Sequence, residues 1–209
     1  RGNENYQKQD YDAAIADYTE AIRLDPKFAY AFNNRGAAYR AKGQYDRAIA
    51  DYTEAIRLDP HDAAAFYNRG IAYAHQKNYD RAVADFTDAI RLDPGNAAYF
   101  SNRCRARAII GRELAQALAD CNAALRLRPD SADSLDSRGL TYLKLGRLDD
   151  AVTDYTAALR INSMLPSALY GRGFAERKKG DATSGDSDIA AAMAIQPDIA
   201  QEFAGYGVK

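Results

Sequence analysis

Between Ala29 and Asp62, the residues Phe32, Gly36 and Tyr39 step by four and three, so they share one face of a helix. A second run, Tyr45, Ala48, Ile49, Tyr52, Ala55 and Ile56, keeps the same spacing and predicts a second amphipathic helix. Gly43 lies between them at a position that tolerates a positive φ, and Asp46 brings a carboxylate to the exposed amides at the start of the second helix. Arg57 complements the negative end of that helix. Pro60 stops it, because proline has no amide hydrogen and disfavours helical geometry at Asp59. The stretch therefore reads as a helix hairpin.

Near-copies of this hairpin occupy almost the whole chain. Arg-Leu-Asp-Pro recurs at Pro26, Pro60 and Pro94, 34 residues apart each time, and Arg-Leu-Arg-Pro follows at Pro129 after 35. A fixed period of this length means that each hairpin buries its apolar face only by stacking on its neighbours. The predicted repeats are 1–28, which lacks most of its first helix, then 29–62, 63–96, 97–131, 132–165 and 166–199, with 200–209 as a partial capping segment. Repeat four carries one extra residue near Glu113, expected in a longer turn. Repeat five has Ser163 in place of the proline, so that Pro166 opens the next helix. In repeat six Gly185 replaces an alanine, and its second helix is expected to fray first, because interior glycine costs roughly 1 kcal/mol. The truncated start also implies residues upstream of Arg1, so the lack of a visible signal segment settles nothing.

Phe32, Gly36, Tyr39, Ala48, Tyr52 and Pro60 resemble the signature of the tetratricopeptide repeat; Arg35 departs from it, standing where that family has leucine. The resemblance implies an all-α, right-handed superhelical solenoid of antiparallel helix pairs, whose first helices line a concave groove that holds an extended peptide or partner segment. The lysine and arginine clamp of the chaperone-binding members is not carried over, because Ala98 and Asn102 stand where its cations would be.

Comparing the repeats with one another separates scaffold from site. Arginine precedes the glycine position at Arg1, Arg35, Arg69, Arg103, Arg138 and Arg172, and aspartate precedes the second-helix aromatic or its substitute at Asp17, Asp51, Asp85, Asp120, Asp154 and Asp188. Such regularity predicts a partly buried pair bridging the two helices, with the guanidinium fork matched to the carboxylate. Cys104 takes the glycine position and Cys121 the aromatic one. They read as small buried thiols, with a disulfide or a metal site as the sharper alternative; no second Cys or His pair at ligand spacing supports a metal, and a disulfide would need Cα atoms within about 7 Å.

The opposite stripe of the first helices varies from repeat to repeat. Asn34, Asn68 and Asn102 share one repeat position and are expected to form a ladder whose amides pair with a peptide backbone. Asn33 lies beside it. Tyr30, Tyr67 and Ile71 would add apolar contact, and Arg40 and Arg105 would favour an acidic partner. The ladder stops at Ser137 and Gly171, and the later stripe of Asp133, Asp136, Leu140, Lys144, Tyr170, Phe174 and Arg177 has a separate character.

Composition narrows the function class. A net charge of -1 and a pI near 6.2 offer no concentrated basic face for nucleic acid, and no run of 18 apolar residues could span a membrane. No phosphate loop, zinc motif or nucleophile elbow occurs, and two histidines are few for acid and base work. The expectation is a non-enzymatic interaction scaffold with no cofactor and no metal. The alternatives are a self-assembly module joining copies through the terminal repeats, or a substrate-recruiting arm of a larger enzyme.

Overall fold

The computed structural model describes residues 1–208. These form thirteen helices and no strand, in two compact bodies, Arg1–Pro94 and Gly95–Lys209. The first body contains α1 (Gly2–Gln7), α2 (Tyr11–Leu24), α3 (Ala29–Ala41), α4 (Tyr45–Leu58), α5 (Ala63–His75) and α6 (Tyr79–Leu92). The second contains α7 (Ala97–Ile110), α8 (Leu114–Leu127), α9 (Ala132–Lys144), α10 (Leu148–Ile161), α11 (Pro166–Lys179), α12 (Ala182–Ile195) and α13 (Ile199–Gly205). Within each body every first helix packs on the second helix of its own hairpin, and each hairpin stacks on the next.

One backbone device makes the hairpins alike. A residue of positive φ recurs at the same place in every turn: Gln9, Gly43, Lys77, Gly111, Gly146 and Gly180. Gln9 and Lys77 take this conformation despite their side chains, at φ 61 and 59. In repeat four the inserted residue is Glu113, itself left-handed at φ 56, so two residues rather than one separate the left-handed glycine from the second helix. Asp46 lies in the first turn of α4, but the N-cap is Gln44, which makes no side-chain capping bond. Pro166 opens α11 as expected.

The seam within each hairpin is built from small residues against one ring. A methyl group on Gly36 would lie 2.9 Å from the Tyr52 ring, and one on Gly139 would lie 2.7 Å from that of Tyr155. Ala14, Ala48, Ala82, Ala117 and Ala151 are fully buried at the adjoining second-helix position. Repeat six has Ile189 in place of the ring, and its two helices come closer. A methyl group on Gly173 would lie 2.6 Å from the Gly185 carbonyl oxygen, against 3.2 Å for the corresponding pair Gly36 and Ala48. Gly185 thus permits a close backbone approach. On helix propensity alone Gly185→Ala would add roughly 1 kcal/mol. Overpacking costs about 1–3 kcal/mol, so this variant is expected to melt at a lower temperature. A higher melting temperature would show that α11 and α12 part freely.

The arginine and aspartate rows form the bridge that their repetition predicts. Arg35 to Asp51, Arg69 to Asp85, Arg103 to Asp120, Arg138 to Asp154 and Arg172 to Asp188 are all two-pronged, with bonds of 2.6–2.9 Å. In the first repeat Asp17 accepts instead from the Asn5 amide, at 2.8 Å. The remaining guanidinium nitrogen reaches the previous hairpin: Arg35 donates to Thr19, Arg69 to Thr53 and Arg138 to Asn122, at 3.1, 3.1 and 2.8 Å. One side chain therefore ties three helices together. The guanidinium of Arg69 also lies 5.7 Å from the centre of the Phe66 ring, where cation–π attraction adds to its hold.

The cysteines depart from the free-thiol expectation. Cys104 and Cys121 form a disulfide, with Cα atoms 5.4 Å apart. The reason is positional. These are the repeat positions at which Gly36 touches the Tyr52 ring, so replacing both members of that contact with cysteine brings two sulfurs together.

Candidate functional site

In the first body the variable stripe lies on α3 and α5. Tyr30 is 51% exposed and stands beside Phe28, which is 44% exposed, with ring centres 5.8 Å apart. Its hydroxyl accepts a hydrogen bond of 2.8 Å from Asn3. Tyr67 and Ile71 are half-buried on α5, and Tyr67 packs at 5.8 Å against Phe86.

The three asparagines do not act alike. Asn68 donates to the side-chain oxygen of buried Asn33, at 3.1 Å, so the amide contact between α3 and α5 runs through Asn33 rather than Asn34. Asn102, in the second body, donates to the Ala98 carbonyl one turn earlier in its own helix, at 3.0 Å. The side-chain nitrogen of Asn34 is buried without a hydrogen-bond partner. So is Nε of Arg40, and the Tyr52 hydroxyl finds no acceptor, because its charged neighbour Arg40 can only donate. Burial pushes the Tyr52 phenol up to about 12, against the opposing pull of Arg40, so it keeps its proton and can donate. His75 stacks on Tyr45, with ring centres 4.9 Å apart, and burial, followed by the charge of Arg40, holds its pKa below the usual value. Tyr52 and His75 share one neighbourhood through Arg40, and Asn34 lies on the same helix as Arg40. Desolvated donors without acceptors are costly to keep, and an incoming backbone carbonyl would satisfy them.

In the second body Arg105 does not face outward toward an acidic partner. It donates to Asp136 at 2.7 Å, and the same carboxylate oxygen accepts from Ser167 at 2.9 Å, so the residue's charge is met within the chain. Asp136, Leu140, Tyr170 and Phe174 on the same stripe belong to a packed region that includes Phe203 and Tyr206. Period and spacing carry no sign of this covering segment's position. Among the described residues no cluster of His, Cys, Asp and Glu is arranged to hold a metal, and no helix is long and apolar enough to cross a membrane.

Helix pairs joined by left-handed turns and bridged at a fixed repeat position define an all-α repeat solenoid, and sequence comparison identifies its family. The tetratricopeptide repeat profile matches residues 35–97, and a related profile of the same repeat matches 2–39 and 139–180. The chain belongs to the tetratricopeptide repeat family. Solved structures share the fold. One is YrrB, a tetratricopeptide protein with an unusual peptide-binding site: 23% identity, 89% of this chain and 96% of that one, TM-score 0.65. PilF of Pseudomonas aeruginosa aligns over 97% of this chain and 92% of its own, at 19% identity and a TM-score of 0.78. A thermophilic tetratricopeptide protein of Thermus thermophilus aligns over 87% of this chain and 100% of its own, at 21% identity and a TM-score of 0.70.

Proposed function

We propose that this chain is a noncovalent protein-binding scaffold, and that the stripe of α3 and α5 receives an extended segment of a partner protein. The observation that carries this reading is the set of buried, unmatched polar atoms: the Asn34 amide, one turn along α3 from exposed Tyr30, and Nε of Arg40 together with the neighbouring Tyr52 hydroxyl. Backbone carbonyls of an extended peptide would satisfy the donors largely independently of sequence, and the exposed rings of Tyr30 and Phe28 would set the preference. Arg40 favours an acidic segment. YrrB, which shares the fold, has a peptide-binding site, which supports the same class of ligand.

Extended acidic peptides selected from a display library against the intact chain provide the test. Asn34→Ala is the suitable substitution because that amide donor has no partner to lose, whereas Asn68→Ala would strip a bond from buried Asn33. Selected peptides are expected to bind Asn34→Ala about fivefold more weakly, the equivalent of one neutral hydrogen bond of about 1 kcal/mol, at an unchanged melting temperature. Undiminished affinity for Asn34→Ala and Tyr30→Ala, with loss on Tyr170→Ala, would move the site out of the first body.

A further inference from the structure

Residues 199–208 are placed where a ligand would be expected. A terminal cap should cover the outermost second helix, yet Met193 and Ile195 on α12 remain 43% and 38% exposed. The segment touches α12 only at its margin and lies chiefly on the first helices. Phe203 and Ile199 are each only 1% exposed, and the Phe203 ring packs 4.8 Å from that of Tyr170 on α11. The backbone carbonyl of Tyr206 accepts a hydrogen bond from Lys144 at the end of α9. The Tyr206 ring lies 6.0 Å from the Arg105 guanidinium of α7, and Glu202 approaches the same arginine to 3.9 Å. Val208 forms one wall of a groove of about 360 Å³, together with Leu143, Leu148 and Phe174. Arg105, Lys144, Tyr170 and Phe174 all belong to the first-helix stripe on which repeats of this kind are expected to hold peptides.

We infer that the stripe of α7, α9 and α11 is a second peptide-binding surface whose resident ligand is the chain's own segment 199–208, and that a partner segment of the same chemistry binds there by displacing it. Such a segment is a short amphipathic helix with apolar anchors four residues apart, an aromatic three further on, and a carboxylate positioned for Arg105. The physical basis is twofold. A seven-residue helix has too few internal bonds to be stable alone, so α13 is helical because it is docked. Its tether at Gln196–Asp198 supplies an effective concentration on the order of millimolar, which a free ligand must overcome. The occupied surface therefore shows a weakened apparent affinity until the internal segment is loosened.

The test uses the full chain and a fluorescein-labelled peptide with the sequence of residues 198–208, followed by anisotropy. Phe203→Ala in the chain is expected to bind this peptide at least about tenfold more tightly than the unaltered chain does. A peptide carrying alanine at its phenylalanine should bind neither. If Phe203→Ala loses helix content by circular dichroism, Tyr206→Ser makes the comparison, since that half-exposed ring contributes less to the core. The unaltered chain adds an arm that no substitution can unfold: saturating peptide should accelerate amide exchange in 199–208 and leave α10 unchanged. Equal affinity in all chains, or exchange unaffected by peptide, would overturn the inference. The surface is separate from the α3 and α5 stripe, so its failure leaves the reading tested at Asn34 untouched.

Discussion

Replacing Arg69 by alanine is expected to lower the stability of the first body by about 3 kcal/mol, as its place in the repeated arginine row implies. Arg69 makes two bonds of 2.8 Å to Asp85 and one of 3.1 Å to Thr53, so its removal loosens α6 within its own hairpin and α4 in the one before. The larger part of the cost comes from what is left behind. The Asp85 side chain is only 6% exposed, and a buried carboxylate without its partner carries most of its desolvation penalty. That Arg69 retains 18% exposure puts the expected loss at the lower end of the range for buried pairs. The hydrogen bond to Asp85 holds the guanidinium above its ordinary pKa, so Arg69 keeps its charge. Arg69→Lys should recover little, because a single ammonium cannot span both carboxylate oxygens and the threonine. Urea unfolding followed by circular dichroism measures the difference. A loss below about 1 kcal/mol would put the pair among ordinary surface bridges.

Reducing the Cys104–Cys121 disulfide is expected to cost a similar amount. The cross-link joins residues 17 apart, and constraining a loop of that size in the unfolded chain is worth about 3 kcal/mol in the chain-entropy account. Both cysteines are fully inaccessible, so the effect should appear in denaturant titrations run with dithiothreitol rather than in the native state at rest. The repeat pattern offers a second arm. Cys104→Gly with Cys121→Tyr recreates the contact that Gly36 makes with Tyr52, and this double variant should unfold at the same denaturant concentration with or without reductant. If reductant leaves the unaltered chain unmoved, the two sulfurs are not joined in solution.

The fold was largely legible because repetition reports structure many times over. A period of 34 residues, a glycine against a ring and an arginine before that glycine each recur often enough for packing to be told apart from chance. The disulfide was legible in position but not in outcome. Cys104 and Cys121 occupy two places known to touch, yet small thiols and a bridge fill that seam equally well by pattern alone. The site was legible only in part. Asn34 and Asn68 are equivalent by repeat position, but Asn68 turns to Asn33 while the Asn34 donor stays unmatched, a difference set by rotamers and neighbours that no period encodes. Arg105 read as an open cation because its partner Asp136 lies on another helix, and Asp136 read as a groove residue for the same reason. The spacing of Ile199 and Phe203 predicts a helical turn but does not say which surface will receive it.

A partner segment bound along α3 and α5 would be met by the unmatched groups there. The most direct measurement is a heteronuclear NMR titration of the isotope-labelled chain with a selected acidic peptide, recording side-chain amide resonances as well as the backbone. The Asn34 side-chain amide is expected to shift first and furthest, together with backbone amides around Tyr30, Arg40, Tyr67 and Ile71, while the faces of α2, α4 and α6 turned away from that stripe stay still. Saturable binding that leaves the Asn34 amide unmoved and shifts only those other faces would contradict binding along α3 and α5.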